Sequence, residues 1–91
     1  MVIKTNDIKE LFSNLSEKVI SRENAQEKAI KIRESYDNGD LEFYPKEYEN
    51  EIWDAIQFIE LFAEKLEENT YLYSENDLIN YIKEKGWDAE E

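Results

Sequence analysis

The chain contains no cysteine and no histidine, and these two absences exclude much of the chemistry open to a small protein. Without cysteine there is no disulfide framework, no thiolate nucleophile and no thiolate metal site. Without histidine the chain lacks the side chain that most often serves as a general base and as a zinc ligand. It also lacks the imidazole that would activate a serine nucleophile. Pairs of carboxylates can be chosen in many ways, so none points to acid–base catalysis. We therefore expect a protein that is not an enzyme and that needs neither a metal nor another cofactor.

Long apolar runs are also missing. No stretch approaches the roughly 20 apolar residues that a membrane-spanning helix needs. The N-terminal sequence "MVIKTNDIKE" has no uninterrupted apolar core, which is not typical of a secretory signal. These features predict a cytoplasmic protein. We also expect the protein to be a monomer when free.

Proline and glycine are scarce, with one proline and two glycines in 91 residues. Apolar residues recur at three- and four-residue steps, as in amphipathic helices, and a chain this short builds a single core. The sequence predicts an all-α fold, a four-helix bundle-like single domain over residues 1–91. An irregular segment is expected between the second and third helices, with no sheet larger than a stray bridge at Leu41–Phe43.

Each of the first two helices is marked by a capping residue and an apolar stripe. The first is expected to begin near Thr5 or Asn6, whose side-chain oxygens can accept from backbone amides of the first turn. The second is expected to begin after Ser21 and to end at Asn38 or Gly39, because Asn-Gly favours a left-handed stop. The inward stripes are Ile8, Leu11, Phe12, Leu15 and Val19, then Ala25, Ala29, Ile32 and Tyr36.

The third helix is predicted to be the longest, from about residue 46 to 67, and its broad apolar arc makes it the central one. The fourth is expected to begin at Ser74, with Asp77 completing a capping box, and to end at Gly86. Trp87 is expected to fold back onto this end, and the last four residues to fray. The apolar positions of the third helix are Tyr48, Ile52, Trp53, Ala55, Ile56, Phe58, Ile59, Leu61, Phe62, Ala63 and Leu66. Those of the fourth helix are Leu78, Tyr81 and Ile82.

Positive charge is scarce, and negative charge is concentrated in one part of the chain. Eleven Lys and Arg stand against 23 Asp and Glu, which gives a net charge of −12. Residues 1–36 carry seven basic and six acidic side chains, whereas residues 37–69 carry eleven carboxylates and two lysines. Such a one-sided field repels phosphate and anionic membranes and attracts a basic protein. We therefore expect a basic protein as the partner, with no nucleic-acid partner and no membrane partner.

Residues 37–51, "DNGDLEFYPKEYENE", combine six carboxylates with three aromatic rings, and we name them the acidic–aromatic segment. Aromatic rings with a charged rim are typical of an interface hot spot. Whether Phe43 and Tyr48 are interface or core is left open by the sequence. The acids lack the alternate spacing of a calcium loop, and Asn-Gly is an ordinary helix stop. The candidate partner-binding residues are Asp37, Asp40, Glu42, Phe43, Tyr44, Glu47, Tyr48, Glu49 and Glu51.

Part of this segment is similar to a known family. "GDLEFYP", Gly39 to Pro45, resembles the Asp-Leu-Ile-Tyr-Tyr-Pro segment of colicin-type nuclease immunity proteins, with Glu42 and Phe43 in place of the family's Ile and first Tyr. In that family the two adjacent aromatics and the flanking acids dock on a basic nuclease toxin. The blocks "ISRENAQEKAIKI", "LEFYPKEYENEIWDAI" and "YLYSENDLINYI" look like those of small polymorphic-toxin immunity proteins. The resemblance implies a toxin-immunity protein that binds and inhibits a cognate bacterial toxin. The class of toxin that it points to is a nuclease.

Two other functions are compatible with the same residues. One is an acidic nucleic-acid mimic that occupies the DNA channel of an unrelated protein, as some phage inhibitors do. The other is a non-inhibitory adaptor within a larger complex. A toxin gene immediately upstream would distinguish immunity from both.

Overall fold

Four α-helices and four short strands follow one another along residues 1–87, the part of the chain that the computed structural model describes. The chain is mainly helical, as predicted. The predicted fraying of residues 88–91 concerns positions outside the described residues. The elements are β1 (Val2–Lys4), α1 (Thr5–Ser16), α2 (Arg22–Asp37), β2 (Glu42–Tyr44), a 3₁₀ turn (Lys46–Tyr48), α3 (Glu49–Phe62), β3 (Lys65–Glu67), β4 (Thr70–Tyr71) and α4 (Glu75–Lys85).

The strands form two small sheets, and the prediction that nothing larger than a stray bridge at Leu41–Phe43 would form is wrong. β1 and β2 pair in parallel, with Ile3 opposite Phe43. β3 and β4 form an antiparallel hairpin, with Lys65 opposite Tyr71. Strands of two or three residues are too short to show the alternation of apolar and polar residues by which a strand is recognised in a sequence.

The N-termini of α2 and α4 are capped by the residues that the sequence predicts. The Ser21 hydroxyl accepts the backbone N–H of Asn24 at 3.1 Å. At α4, the Ser74 hydroxyl accepts the backbone N–H of Asp77 at 3.1 Å, while the Ser74 N–H donates to the Asp77 carboxylate at 2.8 Å. This reciprocal pair is the predicted capping box, and it fixes the residue at which α4 begins.

The C-termini of α2 and α4 are closed by glycine in the left-handed region. Gly39 and Gly86 have φ angles of 77° and 78°, a conformation that costs glycine little because it has no Cβ. After Gly86, the Trp87 N–H donates to the Ile82 carbonyl at 2.9 Å. The Trp87 side chain is buried, so the predicted return onto the helix end is confirmed.

α1 begins at Thr5, as predicted, but neither Thr5 nor Asn6 caps it, and it ends before the predicted apolar stripe does. Its N-cap is Lys4, just before the first helical residue Thr5, and the Lys4 N–H donates to the Asp7 carboxylate at 2.8 Å. The helix ends at Ser16, and Val19, predicted on its inward stripe, lies beyond it with 67% of its surface exposed. The stripe therefore stops at Leu15.

α3 is shorter than predicted, since it runs from Glu49 to Phe62 rather than from about 46 to 67. At its start, Lys46–Tyr48 form a 3₁₀ turn. At its end, Lys65–Glu67 turn away from the helix into the β3–β4 hairpin. Leu66, predicted on the apolar face, is consequently exposed.

α3 nevertheless supplies more buried residues to the core than any other element described, as its broad apolar face predicts. α2 contributes Ala25 and Ala29, whose small side chains are fully buried. Their size allows α2 and α3 to approach closely. From α1, the Phe12 ring lies 6.4 Å from Phe58 and 6.1 Å from Trp87, measured between ring centroids. The buried residues of α3 are Ile52, Ala55, Ile56, Phe58, Ile59 and Phe62.

Arg22, the first residue of α2, joins three separate parts of the chain. Its guanidinium donates to the Phe62 carbonyl at 3.1 Å and to the Tyr73 carbonyl at 2.6 Å. The guanidinium carbon also lies 4.0 Å from the ring centroids of both Phe62 and Tyr71. The Phe62 carbonyl is one of the last four of α3, which have no partner inside the helix. The Tyr71 hydroxyl donates to Glu23 at 2.8 Å, and this bond lowers the pKa of the Glu23 carboxyl.

We expect Arg22→Ala to lower the free energy of unfolding by about 2 kcal/mol, because two charge-assisted hydrogen bonds and two cation–π contacts are lost. The matched control is Arg33→Ala. Arg33 makes a partly exposed ion pair with Glu60 at 3.3 Å, and removing it should cost less than about 1 kcal/mol. Urea unfolding followed by circular dichroism measures both. Equal losses would show that Arg22 is an ordinary surface arginine.

Candidate binding surface

The backbone of the acidic–aromatic segment is held by neighbouring elements over most of its length. The Glu42 N–H donates to the Met1 carbonyl at 2.9 Å, beside the parallel pairing of β1 with β2. The Tyr48 N–H donates to the Pro45 carbonyl at 3.0 Å, and the Tyr44–Pro45 peptide bond is cis. The segment is thus a structured part of the fold, from the end of α2 to the first turn of α3.

The six carboxylates of the segment are all exposed to solvent. Within residues 1–87, no ion pair or side-chain hydrogen bond ties any of them to another side chain. Glu49 and Glu51 lie in the first turn of α3, where the helix dipole favours negative charge. The six are Asp37, Asp40, Glu42, Glu47, Glu49 and Glu51.

The three rings of the segment divide between the surface and the core. Tyr44 is 63% exposed and Tyr48 is 49% exposed. Phe43 is only 5% exposed, because successive side chains of a strand point to opposite faces and Phe43 points inward. Phe43 is therefore removed from the candidate partner-binding residues. It belongs to the core and holds the backbone of the segment against it.

The sequence missed Tyr36, which lies beside the segment. Its spacing predicts a place on the inward stripe of the second helix, yet 48% of the surface of Tyr36 is exposed. Its ring centroid is 4.7 Å from that of Trp53 and 6.2 Å from that of Phe43. The three rings form a cluster that is buried at Phe43 and open at Tyr36. The one sequence signal for the exposure of Tyr36 is its position in the last turn of α2, directly before Asp37.

A basic residue from elsewhere in the chain also lies at this surface. The parallel register of β1 and β2 places Lys4 opposite Tyr44, although the two residues are 40 positions apart. Both side chains are exposed. Lys4 is therefore the neighbour of Tyr44 across the strand pair, a proximity that the linear sequence could not reveal.

This arrangement is suited to recognition of a charged macromolecular surface. Exposed tyrosines offer area that a partner can bury at little cost in side-chain entropy, and the carboxylates around them favour a basic partner. Over the described range, 1–87, no three acidic side chains are grouped so that they could hold a metal ion. In the same range no helix has both the length and the apolar character needed to cross a bilayer.

Phe43 and Tyr44 are adjacent, but we expect opposite responses when each is replaced by alanine. Phe43→Ala should lower the free energy of unfolding by about 3 kcal/mol or more, because it leaves a cavity beside Trp53. Tyr44→Ala should cost less than about 1 kcal/mol, since most of the side chain is in water. Chemical unfolding curves of the two variants, compared with the parent protein, test the assignment. Similar losses for both would place Tyr44 in the core.

Comparison of the chain with protein-family models, with curated proteins and with solved structures gives no match. The function must therefore be inferred from the residues of this surface and from their geometry.

Proposed function

We propose that the protein is an immunity or inhibitor protein that binds a basic bacterial toxin, most specifically a nuclease domain, and blocks it by stoichiometric occlusion. The observation that carries the proposal is the exposure of Tyr44 and Tyr48 among six carboxylates that have no cationic side-chain partner within residues 1–87. Exposed aromatic rings within a charged rim are the composition of an interface hot spot.

Electrostatics supports a basic protein as the target. The acids are concentrated between residues 37 and 69, where eleven carboxylates face two lysines. A nuclease needs a positively charged surface to hold the phosphates of its substrate. An acidic surface of this kind is attracted to that charge and competes with nucleic acid for it, while phosphate itself is repelled.

The aromatic residues support a stable complex after the encounter. Tyr44 and Tyr48 have large exposed areas that a partner can desolvate, and Tyr36 extends the exposed rings beyond the segment itself. The resemblance of "GDLEFYP" to the docking segment of nuclease immunity proteins points to the same residues. Because Phe43 is buried, the proposed docking pair is Tyr44 with Tyr48, instead of the two adjacent aromatics of that family.

The direct test is titration of the toxin domain encoded immediately upstream of this gene with the purified protein. We expect nuclease activity to fall to zero at one molar equivalent, with a 1:1 complex in size-exclusion chromatography. A neighbouring gene that encodes no toxin, or a complex that retains full nuclease activity, would contradict the proposal and favour a nucleic-acid mimic or an adaptor.

Charge reversal should act on association. We expect Glu47→Lys with Glu49→Lys to slow association with the toxin by about tenfold and to flatten its dependence on salt, because the long-range attraction is weakened. The matched control is Glu17→Lys with Glu27→Lys, which makes the same change in net charge outside the segment. Stopped-flow kinetics over a series of salt concentrations separates the two. Equal slowing by both pairs would mean that net charge alone governs the encounter.

Removal of an exposed ring should act on dissociation. We expect Tyr44→Ala to raise the dissociation rate by about 30-fold, the equivalent of about 2 kcal/mol, with the salt dependence of association nearly unchanged. Leu66→Ala is the matched control, since Leu66 is 65% exposed against 63% for Tyr44 but lies in the β3–β4 hairpin. Surface plasmon resonance measures both rates. A dissociation rate that Tyr44→Ala leaves unaltered would remove Tyr44 from the interface.

A further inference from the structure

A second surface feature lies between α3 and α4, in a groove of about 420 Å³. It shares no residue with the acidic–aromatic segment. Apolar and aromatic side chains line it together with three carboxylates, those of Asp54, Asp77 and Glu84. Leu61, on the α3 side, leaves 43% of its surface exposed to solvent.

The aromatic part of this groove is held firmly in place. The rings of Phe58 and Tyr81 are stacked, with centroids 3.9 Å apart and planes 3° from parallel. The Tyr81 hydroxyl donates to the Asp54 carboxylate. Burial of the ring and this hydrogen bond raise the pKa of the Tyr81 phenol, so the phenol keeps its proton and remains a donor. A preformed groove of this kind requires little reorganisation when a partner binds.

The charges of the groove are of one sign. Among the described residues, 1–87, no lysine or arginine lines the groove, and neither Lys83 nor Lys85 of α4 is among its lining residues. Elsewhere on the protein, by contrast, Glu60 pairs with Arg33 and Glu75 pairs with Lys18. The occupant that this groove favours is therefore cationic.

The spacing of the lining residues sets the shape of the occupant. Asp54 and Leu61 are seven residues apart on α3, and Asp77 and Glu84 are seven residues apart on α4. Seven residues are two helical turns, or about 10.5 Å, and positions so spaced lie on one face of a helix. Two facing rows of this length match two turns of an inserted amphipathic helix.

We propose that this groove binds a short cationic amphipathic helix of a partner protein. An apolar side chain of that helix contacts Leu61 and Phe58, and flanking lysines or arginines approach Asp54, Asp77 and Glu84. A second copy of this chain is a poor occupant, because each copy carries a net charge of −12. The lining residues of the groove all lie outside the acidic–aromatic segment, although Asp54 follows Glu51 of that segment by about one helical turn on α3.

The probe is a fluorescein-labelled synthetic helix of about twelve residues, three turns, with leucines on one face and lysines beside them. Binding to the whole protein is followed by fluorescence anisotropy. Leu61→Ser and Glu84→Lys should each weaken binding by at least about fivefold. Glu47→Lys, which makes the same charge change in the acidic–aromatic segment, should weaken it by less than about twofold. A peptide of the same composition in scrambled order should bind at least about fivefold more weakly, since its apolar face is lost.

Backbone amide shifts in the NMR spectrum of the labelled protein give a second measurement. Addition of the peptide should move the signals of Leu61, Asp77 and Glu84 and leave those of Tyr44 and Tyr48 in place. Leu61→Gln replaces Leu61→Ser if the serine variant has a lowered thermal midpoint. Equal weakening by Glu84→Lys and Glu47→Lys, unchanged binding by the Leu61 variant, or equal binding of the scrambled peptide would overturn the proposal.

Discussion

The position of Arg22 sets the path of the chain between α3 and α4. One guanidinium ties the start of α2 to the last turn of α3 through the Phe62 carbonyl, and to the linker before α4 through the Tyr73 carbonyl. Arginine is suited to this role, because its rigid planar fork donates to several carbonyls while its face packs on aromatic rings. With the linker held in this way, the capping box at Ser74 places the first turn of α4. The α3–α4 groove depends on that placement.

Local signals in the sequence predicted what depends on a few neighbouring residues. The caps at Ser21 and Ser74 and the return of Trp87 after Gly86 each involve hydrogen bonds between residues no more than five positions apart. The end of α3 could not be predicted in this way, because residues 63–67, Ala-Glu-Lys-Leu-Glu, are all good helix formers that could continue a helix. What ends the helix is the hairpin, whose Tyr71 packs on Arg22 from a distant part of the chain.

The candidate surface shows the same division between local and distant contacts. Composition alone singles out the segment, its carboxylates and Tyr44, but it leaves open whether Phe43 and Tyr48 are interface or core. The inward direction of Phe43 depends on pairing with Ile3, 40 positions away. Tyr36 has the spacing of a core residue on α2, but only its contacts with Trp53 and Phe43 show how much of the ring is left in water. Pairings over such distances leave no local pattern to read.

The parallel pairing of β2 with β1 has a consequence for the thermodynamics of recognition. A flexible loop that orders on binding loses backbone conformational entropy at that moment, about 1–2 kcal/mol for each residue fixed. Here the backbone of Glu42–Tyr44 is already fixed by pairing with β1 and by the burial of Phe43. The backbone entropy of these residues is therefore lost during folding and not when a partner binds. What remains to be ordered is chiefly the rotamers of the exposed side chains. A surface that is both highly charged and prearranged in this way can combine rapid capture with a long-lived complex.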